Sequence, residues 1–197
     1  MSIIGIDFDN TLVDYNAAFH QLACEKSLIP ADLPVKKLSV RDYLRKVGQE
    51  DAWTEMQGIV YGARMQEAIL FDGAGFFITE MLKKGHQICV ISHKTKHPFL
   101  GEQYDLHQAA REWARDHVPL PSDNIYFELT KEDKINRIIH CQCDIFIDDL
   151  PEILLHPHFP STIQKILYDR EYHHALEKSN GLTVCHTWRE VLSCLSI

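Results

Sequence analysis

Apolar positions along the chain fall into short runs rich in Ile and Val, and three of these runs end abruptly in polar or acidic residues. They are Ile3 to Ile6 before Asp7, Ile88 to Ile91 before Ser92, and Ile145 to Ile147 before Asp148. Runs of this length and composition predict buried strands, with the closing residues at the strand mouths. Elsewhere the apolar spacing lengthens to that of helices. Helices are predicted near Ala74 to Lys84, ended by Gly85, then Leu106 to His117, Lys131 to His140, Pro151 to Leu155 and Trp188 to Leu195. They alternate with strands at Gln87 to Ile91, Ile125 to Phe127, Asp144 to Ile147, Ile166 to Tyr168 and Leu182 to Cys185.

Strands alternating with helices imply a parallel sheet covered on both faces, because parallel neighbours need crossover connections. The fold class expected is therefore α/β, a Rossmann-like three-layer parallel sheet. The segment from Asn10 to about Leu70 breaks the alternation. It shows no convincing strand, and its pattern reads as helices near Tyr15 to Lys26, Ser39 to Val47 and Asp51 to Ala68, separated by Pro30 and Pro34. A strand-to-helix connection usually takes about 2–6 residues. This one is an insertion, so the expected organisation is a core of residues 1–13 and 71–197 with a helical cap of residues 14–70.

Composition narrows what such a domain can do. The 197 residues are 45% hydrophobic, enough to bury a core, and no apolar stretch approaches the ~20 residues of a membrane-spanning helix. The opening residues lack a basic region before their short apolar run. A soluble, cytoplasmic protein is expected. The formal charge of -8, without a basic block, disfavours attachment to nucleic-acid polymers or anionic membranes, while local cations and a metal could still hold a small anion. Several of the six cysteines lie inside apolar runs, where reduced thiols pack as small hydrophobes. His140, Cys141 and Cys143 match no standard zinc spacing, and the same holds for His156 with His158 and for the adjacent His173 and His174.

Four fragments hold the candidate chemistry: Asp7-Phe8-Asp9-Asn10-Thr11, Ser92, Lys134 and Asp148-Asp149. A carboxylate attacks a phosphate dianion poorly unless charge is cancelled beside it, and acidic residues from two strand ends make the oxygen-rich site magnesium prefers. Phosphoryl transfer otherwise depends on positioning and on stabilising charge on the equatorial oxygens. Ser92 supplies a hydroxyl, Lys134 a positive charge, and Asp9 a carboxyl placed to exchange protons with the leaving oxygen and with water. Singly, each fragment is commonplace. A strand-end Asp more often caps a turn, and a lone Lys on a helix is usually solvated.

In these motifs and their order the chain resembles the phosphatases of the haloacid dehalogenase superfamily. The resemblance spans the chain from the first strand to the last. It implies that Asp7 is the nucleophile, forming an aspartyl-phosphate, that Asp9 is the general acid and base, and that Ser92 and Lys134 complete the catalytic set. Mg²⁺ is the implied cofactor, held by the Asp7 carboxylate, the Asp9 backbone carbonyl and Asp149, with Asp148 either a ligand or the support of one. An acid at position 9 separates the phosphatases and phosphomutases from dehalogenases and ion-pumping ATPases of the superfamily. Lys131 lies one turn before Lys134 and could take its part; Lys134 is favoured because Ile135, Ile138 and Ile139 follow it on the helix that must dock.

Similar proteins place a helical cap between the first two motifs, and the size of this one is similar to that of small pyrimidine 5'-nucleotidases and deoxyribonucleotidases. A small phosphorylated metabolite, a nucleotide or sugar phosphate, is the expected partner. Asn10, Thr11, His93 and Lys94 are candidate substrate contacts, the last two opening a long basic stretch, His93 to Tyr104. On the cap, Tyr15, Asn16, Arg41, Trp53, Tyr61 and Arg64 are candidates against the plainer reading that its aromatic residues pack the cap itself. A phosphomutase or phosphotransferase would use the same four fragments. A phospho-acceptor signalling module would place its acidic pair first instead of last, and a binding protein that kept the fold would not need every motif position filled.

Overall fold

The computed structural model describes residues 1–172 and 181–195. The strands expected from the sequence form one six-stranded sheet, all parallel. They are β1 (Ile3–Ile6), β4 (Gln87–His93), β5 (Ile125–Glu128), β6 (Ile145–Asp148), β7 (Gln164–Tyr168) and β8 (Thr183–Cys185). Their order is β5-β4-β1-β6-β7-β8, so the chain builds outward from β1 in one direction and then returns to build outward in the other. Reversal at β1 opens a crevice beyond the carboxyl ends of the central strands, the place where open α/β sheets bind ligands.

Helices cover both faces of this sheet. Against one face lie α6 (Lys131–His140) and α7 (Pro151–Leu154), where Ile135, Ile138, Ile153 and Leu154 bury against Cys89, Ile91, Phe146 and Leu167. On the other, α4 (Ala74–Lys83) and α8 (Trp188–Cys194) meet through Phe77 and Trp188, whose ring centroids are 5.0 Å apart, and Trp188 lies 5.3 Å from Tyr168. Helix α6 begins where Thr130 Oγ1 accepts the Asp133 amide at 3.0 Å, an N-cap that sets the phase at which Lys134 and Ile135 turn inward.

Backbone contacts separate two compact units. The first holds Met1–Leu12, Leu70–Lys94 and the chain from Val118 on; the second holds Val13–Ile69 and Thr95–His117. Helices α1 (Asn16–Glu25), α2 (Lys37–Lys46), α3 (Glu50–Tyr61) and α5 (Leu106–His117) make up the second unit. Its interior is aromatic, with Phe19 4.8 Å from Trp53 and Tyr15 5.0 Å from Tyr61. The boundary differs from the expected one, in which all of 71–197 was core. Residues 95–117 join the inserted helices because Pro98 and Tyr104 lie against Gly58 of α3 and Gly62 just past its end: a Cβ on Gly58 would stand 2.7 Å from Pro98, and one on Gly62 2.6 Å from Tyr104. The insertion also contains strand residues, at β2 (Val13–Asp14) and β3 (Ile69–Leu70), too short to show in a periodicity. The predicted helix from Asp51 to Ala68 ends at Tyr61, before Gly62, and resumes only as a single 3₁₀ turn at Met65–Glu67.

Strand β1 runs against β6 without room for a side chain at Gly5. A Cβ there would meet the Phe146 ring at 2.5 Å and the Cys143 sulfur at 2.9 Å. Gly5→Ala is therefore expected to cost about 1–3 kcal/mol in unfolding free energy by overpacking, read as a lower urea midpoint at unchanged slope.

Candidate active site

Two residues beyond Gly5, Asp7 leaves the sheet still tied to it, its amide donating to the Ile147 carbonyl at 2.8 Å. The chain then turns at once: the Leu12 amide donates to the Phe8 carbonyl at 3.0 Å, and Asn10 takes a left-handed conformation at φ 62°, which Asn tolerates better than most residues. Phe8 anchors the turn from below, edge-on to Phe127 with ring centroids 5.2 Å apart. Asp7 thus keeps the strand's alternation, and the tight turn carries Asp9 out of it.

Alternation places the rest. Cys89 and Ile91 of β4 pack on the α6 face, and so does Phe146 of β6; the next residues of the same parity are His93 and Asp148. Lys134 reaches this row from α6. Its Nζ donates to Asp7 Oδ1 at 2.6 Å and forms an ion pair with Asp148 Oδ2 at 2.7 Å, and its side chain is completely buried. Lys131, one turn earlier, points away to Glu152 at 2.6 Å.

Thr11 and Asn10 tie the turn to the second acidic fragment. The Thr11 hydroxyl donates to Asp7 Oδ2 at 3.2 Å and accepts the Asp149 amide at 3.1 Å, while Asn10 Nδ2 donates to Asp149 Oδ2 at 3.2 Å. Both were candidates for touching substrate. Thr11 is fully buried, and its visible work is to hold Asp7 in register with the β6 loop. Asp148 Oδ1 accepts the Leu150 amide at 2.9 Å, closing the turn that precedes α7.

Lys94 also differs from a free anion contact. Its Nζ donates to both oxygens of Asp9, at 2.9 and 2.7 Å, and the amide of Lys94 donates to the Glu128 carbonyl at 2.7 Å, prolonging the β4–β5 ladder. Ser92, on the same strand, is buried. Thus the structure brings Asp7, Asn10, Thr11, Lys134, Asp148 and Asp149 into one bonded network, and Asp9 into a second with Lys94. Sequence reasoning had no signal for that second pair, because nothing in spacing couples residues 85 apart.

On the second unit, Tyr15 and Trp53 are buried in its aromatic interior. Asn16 Oδ1 accepts the Lys37 amide at 2.7 Å, and Arg64 is paired with Glu25 and Glu67. Arg41 pairs with Asp42. His173 and His174 lie outside the described residues.

No protein-family model and no curated protein sequence matches the chain significantly. Solved structures do. A HAD hydrolase of family IA, variant 3, from Entamoeba histolytica aligns over 96% of this chain and 95% of its own with a TM-score of 0.60 at 13% identity. YfnB of Bacillus subtilis, in a form bound to magnesium, covers 100% and 99% at a TM-score of 0.56 and 12% identity. A phosphoserine phosphohydrolase-like protein of Francisella tularensis covers 99% and 100% at 0.54 and 18%. The chain has the haloacid dehalogenase fold.

Within that fold the electrostatics of the site are unusual for a protein interior. Burial alone would lower the pKa of the Lys134 ammonium, but Asp148 and Asp7 override it and hold that pKa above the ordinary lysine value. Asp148 goes the other way from a typical paired carboxylate: burial pushes its pKa up, to about 7, against the pull of Lys134 and with the repulsion of Asp7 added. The oxygens of Asp7, Asp148 and Asp149 lie within 4.8 Å of one another, the sole cluster among the described residues able to hold a metal ion. One buried ammonium against three carboxylates leaves an excess of negative charge that a divalent cation would cancel, and the donors are all hard oxygen, as Mg²⁺ requires. The residues present fit the ion.

A carboxyl that ionises near 3.9 in the unfolded chain and near 7 in the metal-free fold penalises the native state as pH rises between those values, and protonation competes with metal below the upper one. Added Mg²⁺ is thus expected to raise the thermal midpoint more at about pH 8 than at about pH 6, with a gain of about 2.7 kcal/mol at a hundredfold excess over the dissociation constant. Asp148→Asn should flatten that difference; scanning fluorimetry at the two pH values checks it.

Proposed function

We propose that the chain is a magnesium-dependent phosphatase that hydrolyses a small phosphomonoester by way of a phosphorylated Asp7. The observation on which this rests is the double tether of Asp7: Lys134 on one oxygen at 2.6 Å and the Thr11 hydroxyl on the other at 3.2 Å, at the mouth of the central strand beside a second acidic pair. A merely structural Asp has no need of a buried cation and of two further carboxylates within reach. A nucleophile facing a phosphate dianion needs its charge offset and its direction held.

In the reaction an oxygen of Asp7 attacks phosphorus, and the bond from phosphorus to the substrate's ester oxygen breaks, releasing an alcohol once that oxygen gains a proton. Water then attacks the phosphorus of the aspartyl-phosphate, the bond to the Asp7 oxygen breaks, and inorganic phosphate leaves with Asp7 restored as carboxylate. Asp9, two residues on, gives the first proton and takes the second, with one of the two oxygens that Lys94 holds released for that exchange. Lys134 keeps its charge throughout and orients Asp7. Mg²⁺, held by Asp7, Asp148 and Asp149, would supply charge neutralisation for the incoming phosphate. An ionisable side chain at position 9 supports ester hydrolysis over the chemistry of the dehalogenases that share this fold.

Asp7→Asn is expected to lower phosphate release from p-nitrophenyl phosphate with Mg²⁺ by roughly a thousandfold or more, the scale on which covalent catalysis depends on its nucleophile. Circular dichroism should show the fold retained. Inorganic phosphate released in step with p-nitrophenol, without an added alcohol, separates hydrolysis from transfer to an acceptor; full activity in the variant would remove Asp7 from the reaction.

A further inference from the structure

His93 closes β4, one residue past Ser92, with its Nδ1 buried and without a hydrogen-bond partner among the described residues. Native interiors rarely leave a polar atom this way, and the exceptions are frequently atoms waiting for a ligand or water. Its surroundings say which. By strand parity His93 stands on the α6 face with Asp7 and Asp148, and the charges that act on its ring are those of Lys134, Asp7, Lys131 and Asp9. The atom is therefore at the proposed reaction centre, not in a remote packing defect.

Its neighbours at the strand end are already committed. Lys94 is spent on Asp9 at 2.7 and 2.9 Å, and Lys134 on Asp7 and Asp148. We propose that His93 contacts the substrate, its Nδ1–H donating a hydrogen bond to a non-bridging oxygen of the phosphoryl group that Asp7 receives. Phosphoryl oxygens only accept hydrogen bonds, so the tautomer carrying its proton on Nδ1 is the matching one. Burial and the Lys134 charge hold the imidazole pKa below its ordinary value, keeping the ring neutral; it adds a donor without adding charge beside Lys134. This assignment rests on the phosphatase reading above, and its test separates the two.

Asn and Gln distinguish the ring nitrogens, because Asn Nδ2 overlies histidine Nδ1 whereas Gln Nε2 overlies Nε2. Three variants, His93→Asn, His93→Gln and His93→Phe, are assayed for p-nitrophenyl phosphate turnover with Mg²⁺ and for the rise in thermal midpoint produced by inorganic phosphate. Expected is a loss in kcat/KM of about 10- to 100-fold for the Phe and Gln variants, as when one hydrogen bond to a charged group goes, with the Asn variant within about fivefold of the parent. The phosphate-induced stabilisation should follow the same ranking. Removal of an unsatisfied polar atom means that His93→Phe, without ligand, should unfold no earlier than the parent.

Parental turnover and parental phosphate stabilisation in His93→Phe would overturn the assignment and leave Nδ1 with a water. Rescue by Gln but not Asn would overturn it too, by pointing to Nε2. Should His93→Phe fail to fold, the Asn-against-Gln comparison decides alone. If the parent protein turns over no phosphate ester, yet inorganic phosphate stabilises it and not His93→Phe, the phosphate contact stands and the hydrolytic reading falls.

Discussion

The ammonium of Lys134 sits fully buried between the carboxylates of Asp7 and Asp148, and the arrangement of the whole crevice follows from the need to pair it. An unpaired charge at that depth would cost several kcal/mol, more than a domain of this size can spare. Three elements must therefore arrive together: α6 with its Thr130 cap, the end of β1, and the end of β6. Neither of the two contacts is local, so the pairing acts as a register lock on the sheet's centre. The same contacts hold Asp7 in place and leave the acidic pair short of positive charge, which is what a divalent ion would supply.

Around that lock the turn after β1 is cross-tied at close spacing. Thr11 bridges Asp7 and the Asp149 amide, Asn10 reaches the Asp149 carboxylate, and Trp188 Nε1 donates to the Thr11 carbonyl at 3.3 Å. Asn10 and Thr11, which a motif reading offers as substrate contacts, bond here to Asp149 and Asp7. Ties of this kind fix the Asp7 carboxylate against the β6 loop.

The second unit is organised by different means. Its interior is built from Tyr15, Phe19, Trp53 and Tyr61, and Gly58 on α3 with Gly62 just past it lets the chain after Thr95 approach closely. Residues 95–117 thereby become part of a helical unit from which they are distant in sequence. Trp113 completes the arrangement, its indole N–H donating to the Ala68 carbonyl at 3.0 Å.

Periodicity and strand-closing residues were enough to locate the six sheet strands, the flanking helices and the inserted segment, because a buried parallel strand must be apolar on both faces and a docked helix on one. The positions of Asp7, Ser92 and Asp148 at strand ends, and of Lys134 on the helix that docks, were likewise legible. Tertiary structure alone decided the rest. That Lys94 grips Asp9, that Thr11 faces inward, that His93 Nδ1 is left without a partner among the described residues, and that residues 95–117 pack with the inserted helices all depend on which side chains meet across 50 or more positions of intervening chain or on how two surfaces fit. A one-dimensional pattern records which residues prefer to be buried; it holds no term for the partner each one finds, because that is set by distances that exist only after the sheet has closed around its centre.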